Sequence, residues 1–174
     1  MRDRRCPAGS EFTKMGLIAA KIEPNAKEEI VNGLTQALAE TAIETLKAQN
    51  FHWNVTGWSF GPLHALFQEI YEDHFEAQDL LAERIKAFDA HAEGRYSVYL
   101  DRSAITEHDG HTDAKTMVEL LLADQETLSS TLSALAQVAE QHGDWATNDM
   151  ATGRIEVHDK FAWMLRAHLK STAA

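Results

Sequence analysis

Residues 52–64 read HWNVTGWSFGPLH. The two glycines of TGWSFGP break any helical pattern, and Pro62 suits the first turn of a new helix, where its missing N–H costs nothing. Two helices therefore meet here, with His52 at the end of one and His64 at the start of the other. A pair of imidazoles so placed can share a cation, yet no acidic residue lies between them. The anionic part of such a site has to come from elsewhere.

Working outward, Pro24-Asn25 followed by Ala26-Lys27-Glu28-Glu29 reads as a helix start, with Asn25 as cap and acids in the first turn. Ile30, Val31, Leu34, Leu38, Ala42, Leu46 and Trp53 then recur at helical spacing up to Gly57. Downstream, the second helix runs from about Pro62 to about Ala90 without a glycine or further proline. Residues 91–113 lack one clean period and carry Gly94 and Gly110, which predicts a long crossover with a short helix around Ser103 to Glu107. The third helix, about Ala114 to His142, shows a stripe of Met117, Leu121, Leu128, Leu132, Leu135 and Val138. Gly143 ends it. The fourth, about Trp145 to Leu169, carries Ile155, Phe161, Trp163, Met164 and Leu165. Long helices, two short turns and one long connection predict an all-α fold, the ferritin-like four-helix bundle with a single crossover.

The chain has 174 residues, the size of one domain able to bury a core, and 44% hydrophobic with 25% charged residues is a globular balance. No apolar run reaches the roughly 20 residues that span a bilayer, so no membrane role is expected. Residues 1–14, MRDRRCPAGSEFTK, differ in character from the rest, and Gly9-Ser10-Glu11-Phe12 is what two adjacent cloning sites encode; they read as a vector-derived leader before one domain over 15–174. Setting the leader aside leaves 12 basic against 25 acidic residues, moving the net charge from −11 to −13. The single cysteine, Cys6, lies in that leader, so no disulfide framework is expected, and without a secretory segment the cytoplasm is the expected compartment. Such acidity disfavours nucleic acid, whose phosphates need lysine and arginine, and favours cations.

The second helix supplies acids at Asp79 and Glu83, four apart and so on one face. Taken alone, such a pair more often belongs to a solvated surface, and His52 and His64 each have an ordinary reading as a hydrogen-bonded core residue and a helix-start residue. Distance decides what the four can do together. At 1.5 Å rise per residue, His64 lies about 22 Å from Asp79 and about 28 Å from Glu83, too far to share an ion within one chain. Two copies of this helix packed antiparallel about a twofold axis would bring the histidine end of each to the acid end of the other, making two equivalent sites. Imidazole and carboxylate ligands without thiolate suit Fe(II), Mn(II) or Zn(II). An in-subunit alternative built from Glu-x-x-His motifs finds no support, since none of the nine histidines has an acid three residues earlier.

The combination His52-Trp53-Asn54-Val55, Gly57, Phe60, Leu63-His64, Phe67, Tyr71, Asp79 and Ala82-Glu83-Arg84-Ile85, with Asp159-Lys160-Phe161 and Trp163 later, resembles the ferritin-like DNA-binding proteins from starved cells (Dps), or miniferritins. The resemblance covers nearly all of residues 25–170. It implies a dodecameric shell that oxidises Fe(II) at intersubunit ferroxidase sites, preferentially with hydrogen peroxide rather than oxygen, stores ferric mineral and protects against oxidative stress. It implies further that His52 and His64 of one subunit and Asp79 and Glu83 of its twofold mate hold iron, with Zn or Mn as possible substitutes. Trp53 would intercept radicals beside the site, or else serve as a core aromatic. Arg84 and Asp159 would form a buried ion pair. Asp144 and Asp149 would line an iron-entry pore, Asp144 having a second reading as the cap of the fourth helix.

One position departs from the family pattern. Gln68 stands where an acid is usual, four residues after His64, and a neutral amide offers only a carbonyl oxygen. A second iron would be held weakly or through water there, with Glu72, one turn further, as a possible substitute ligand. The principal alternative is a DNA-compacting structural protein with metal binding secondary. Against it, MGLIAAKIEPNAKEE at 15–29 carries only Lys21 and Lys27, and the end LRAHLKSTAA is short, so direct DNA binding is not expected. A non-catalytic role as adhesin or metal buffer would use the same scaffold.

Overall fold

The computed structural model describes residues 22–57 and 59–170. Residues 1–14 with Cys6, Lys21 and the last four residues lie outside the described residues. Those described form α1 (Pro24–Asn54), α2 (Phe60–Ala87), α3 (Tyr96–Arg102), α4 (Ala114–Gln141) and α5 (Trp145–Leu169), with no strand among them. None of the described helices is long and apolar enough to cross a membrane.

Side-chain pairings give the register. Glu44 and Lys47 of α1 meet Gln125 and Asp124 of α4, so those helices run antiparallel. Asp73 and Arg84 of α2 meet Arg154 and Asp144 at the facing end of α5, which is antiparallel too. With α1–α2 and α4–α5 joined by short turns, α2 and α4 run parallel. That arrangement requires the long crossover between them, and α3 packs on α1 along its course.

Local chemistry sets the ends. Proline at the first helical position starts α1 at Pro24, leaving Asn25 inside the first turn rather than at the cap. Asp113 and Asp144 cap α4 and α5 by accepting from the backbone N–H of Thr116 and Thr147, at 2.9 and 3.2 Å. The crossover's short helix is Tyr96–Arg102, not 103–107. Buried Tyr99 anchors it, while the Ser103 hydroxyl bonds both the N–H and the carbonyl of Ile105, holding that segment in a turn. Gly110, at φ 83°, sits so close to Asn50 that a Cβ there would lie 2.8 Å from its Oδ1. Asn50 ties the same loop to α1 by donating to the His108 carbonyl at 2.9 Å.

The apolar core falls into two clusters. One joins Ile30, Leu34 and Leu38 to Leu81, Ile85, Leu128 and Leu132, and the other joins Phe51 to Phe67, Ile70, Leu121, Phe161 and Leu165. Between them lies a layer of buried polar side chains, Glu44, His74, Gln125 and His158, one from each long helix.

Candidate metal centre

His52 and His64 face each other across the α1–α2 turn. Their rings stack with centroids 3.7 Å apart and planes 18° from parallel. His52 Nδ1 lies 2.8 Å from the His64 carbonyl oxygen, and His64 Nδ1 lies 2.8 Å from the His52 carbonyl oxygen. A carbonyl only accepts, so both Nδ1 atoms carry the hydrogen and both Nε2 atoms present lone pairs. This is the outer-shell arrangement that fixes tautomer and orientation in metal-binding histidines. Phe60 stacks on the far face of His64 at 4.9 Å, and Tyr71 packs edge-on against His52 at 5.3 Å. The donor set fits a borderline cation that takes imidazole nitrogen.

Asp79 and Glu83 are exposed on α2, one turn apart on one face, and neither meets the histidines. Among the described residues, no group of three or more His, Cys, Asp or Glu side chains within the chain is arranged to hold a metal ion. Between the two ends of α2, Phe75 (71% exposed) and Leu80 (52%) stand out of the surface, flanked by exposed Leu46 and Tyr96. Shallow grooves run along this face, one lined by Leu46, Tyr71, Phe75 and Tyr96 and the next by Phe75, Asp79 and Leu80. Large apolar side chains held in water over such a stretch mark an interaction surface.

Gln68 donates to Glu72 at 2.7 Å, so the amide at the departing position is engaged with the carboxylate one turn on. Trp53 is 62% exposed and lines a hollow beside the crossover with Lys47, Asn50 and His108, whereas Tyr71 is the aromatic packed on His52.

The expected Arg84–Asp159 pair does not form within the chain. Arg84 bonds Asp144 at 2.6 Å and the Thr147 hydroxyl at 2.7 Å, and its guanidinium lies over the Phe88 ring. The antiparallel register explains this: Asp159 lies fifteen residues, about 22 Å, further along α5. There, exposed, it accepts from Ser129 at 2.9 Å. Asp144 is fully buried as Arg84's partner and α5's cap, so it cannot line a pore, and its second reading as a cap is the correct one. Asp149 is exposed, as a pore residue requires.

Sequence reasoning missed the polar layer. Gln125 donates to Glu44 at 2.7 Å and accepts from His158 Nδ1 at 2.7 Å, while His74 Nε2 lies 3.1 Å from Glu44 Oε2. Burial, with His74 and Arg154 nearby, pushes His158 down to about 2, so it is neutral. Asp73 is held well below the usual carboxylate range: burial opposes this, but hydrogen bonds from His74 and Arg154 outweigh it.

Comparison with known proteins agrees with the fold. A ferritin-like domain model matches residues 31–174. A Bacillus anthracis relative named DNA protection during starvation protein 2 is 32% identical over 142 residues, covering 82% of this chain and 97% of that one. The crystal structure of a Dps protein from Bacillus brevis superposes with a TM-score of 0.82 at 30% identity, covering 86% of this chain and all of that one. A Vibrio cholerae Dps protein, described as a member of a superfamily of ferritin-like diiron-carboxylate proteins, gives 0.83 at 28% identity over 94% of this chain and all of its own. On its motif, its one-crossover bundle and these relatives, the chain belongs to the Dps family of ferritin-like miniferritins.

Proposed function

We propose that this protein is a ferroxidase and iron-storage miniferritin. Two equivalent centres form across a twofold axis, each taking His52 and His64 from one protomer and Asp79 and Glu83 from the other. The observation that carries this reading is the reciprocal bonding of the histidines, which leaves both Nε2 lone pairs free while the acids lie too far along α2 to reach them. The exposed Phe75 between the two half-sites, and Leu80 beside Asp79, are what an antiparallel α2–α2 contact would bury.

Fe(II) is the substrate. Anionic carboxylate oxygens favour Fe(III) over Fe(II) and so ease electron donation, while the imidazoles admit Fe(II), with Zn(II) or Mn(II) as competitors. Two Fe(II) and one hydrogen peroxide with two protons give two Fe(III) and two waters, so no hydroxyl radical is released; peroxide is the preferred oxidant over oxygen. With Gln68 amidic and engaged by Glu72, one iron is held firmly per centre and the second weakly or through water. The role of intercepting stray radicals goes to Trp53, which follows His52 in the chain and is exposed. Asp149 belongs to the route by which iron enters a dodecameric shell, where mineral accumulates. The relatives' names, diiron-carboxylate superfamily and DNA protection during starvation, support iron handling and cell protection.

Stopped-flow oxidation of Fe(II) with peroxide and with oxygen, on wild type and His52→Ala, tests the proposal. Faster turnover with peroxide, lost in the variant, is the expected result; equal rates in the two proteins would reduce the role to a passive buffer.

A further inference from the structure

The buried layer between the two apolar clusters contains a contact that is incomplete as it stands. His74 Nε2 lies 3.1 Å from Glu44 Oε2 and 3.3 Å from Gln125 Nε2, and its Nδ1 faces Asp73 Oδ2 at 3.3 Å. Both His74 and Glu44 are fully buried, and Glu44 Oε2 lacks a hydrogen-bond partner. The Gln125 amide is already oriented, since its oxygen accepts from neutral His158 and its NH2 therefore points to Glu44 Oε1 and His74 Nε2. The Gln125 NH2 set against Nε2 makes that nitrogen an acceptor with a lone pair and leaves the hydrogen on Nδ1, which faces Asp73 without a formed hydrogen bond. That lone pair also faces the unpartnered Glu44 Oε2 across 3.1 Å, which is repulsive while neither carries a proton, and one proton between them turns the contact into a bond.

We propose that Glu44 and His74 share one exchangeable proton sealed inside the bundle, and that its loss at alkaline pH loosens the layer joining the two apolar clusters. The surrounding charges leave this proton to the pair. On α1, Lys47 is committed to Asp124 of α4 at 2.6 Å, and Glu40 is bound by Gln36 at 2.7 Å. On α2 and α5, Asp73 is committed to Arg154 at 2.5 Å, and His158 is neutral. No surplus cation in the layer is left to balance an ionised Glu44. Burial raises its carboxyl from 4.5 to about 7, with Asp124 adding to the rise and His74, Lys47 and Gln125 opposing it. Because the folded-state value is raised, the stabilising effect is full below the unfolded value and is lost as pH rises through about 7.

Glu44→Gln mimics the protonated state, its NH2 donating to His74 Nε2 and its carbonyl accepting from Gln125. The ratio of the wild-type to the variant unfolding constant should rise about tenfold per pH unit between about pH 5 and 7, then level off. A ratio independent of pH overturns the proposal. Infrared spectroscopy of the native wild-type oligomer gives a second readout. At pH 6 a protonated-carboxyl stretch should be present, move on isotopic labelling of the glutamate carboxyl carbon, and vanish by pH 8.5. Absence of that band at pH 6, or its persistence in Glu44→Gln, refutes the shared proton. Neither readout involves iron, so the outcome is separate from that of the ferroxidase assay.

Discussion

Arg84 near the end of α2 and the buried Asp144 at the N-cap of α5 form a half-buried ion pair at 2.6 Å, with the same Asp144 oxygen also accepting the Thr147 N–H. One carboxylate thus ends one helix's charge and starts another helix. Asp144→Ala removes both functions and leaves the guanidinium unpaired, at an expected cost of about 3 kcal/mol. Asp144→Asn keeps the cap and should cost less. Asp159→Ala, at an exposed position, should fall within about 0.5 kcal/mol of wild type. Urea unfolding of the three variants checks the order.

Gln68→Glu restores a carboxylate in the first turns of α2 beside His64. Anaerobic Fe(II) titration should then show two comparably tight irons per centre, against one tight and one weak in the wild type. Two equally tight irons in the wild type would contradict the role given to Gln68.

On α2, Phe75 stands exposed between the two proposed half-sites and Leu80 stands exposed beside Asp79. Phe75→Asp with Leu80→Asp should leave helix content unchanged by circular dichroism, shift the sedimenting species to monomer, and abolish Fe(II) oxidation while every proposed ligand is intact. Unaltered assembly would mean that this face is not the twofold contact.

The net charge of −13 over residues 15–174 predicts no direct binding to duplex DNA at physiological salt. A gel-shift on the chain starting at Met15 should show free DNA throughout, and a shift retained only with residues 1–14 present would trace to Arg2, Arg4 and Arg5. A retained shift without them would favour the DNA-compacting reading.

Periodicity and turn residues made the four long helices, and the separation of His64 from Asp79 and Glu83, legible from the chain alone. Helical spacing is local, and so is the rise that sets the distance. The partner of Arg84 was not legible, because it depends on how α2 and α5 slide past each other, and no local pattern encodes that register. Ser103–Glu107 failed as a helix because a hydroxyl competing for the backbone outweighs weak propensity. The Glu44–His74 layer was missed because the search ran along single helices for Glu-x-x-His, whereas these groups come one per helix. The signal was present: Glu44 follows Ala37 and precedes Ala48 and Phe51 on the buried stripe, and His74 stands between Ile70 and Ala77, each a polar residue in a slot its neighbours fill with apolar ones.

Complementation in mixed oligomers tests the split centre most directly. One chain carries His52→Ala and His64→Ala, the other Asp79→Asn and Glu83→Gln, and each alone should be inactive. Reassembled together at equal amounts, half the dimers pair unlike chains and each of those rebuilds one intact centre of two, so about a quarter of wild-type ferroxidase activity should return. A mixture as inactive as its components would contradict a centre built from two protomers.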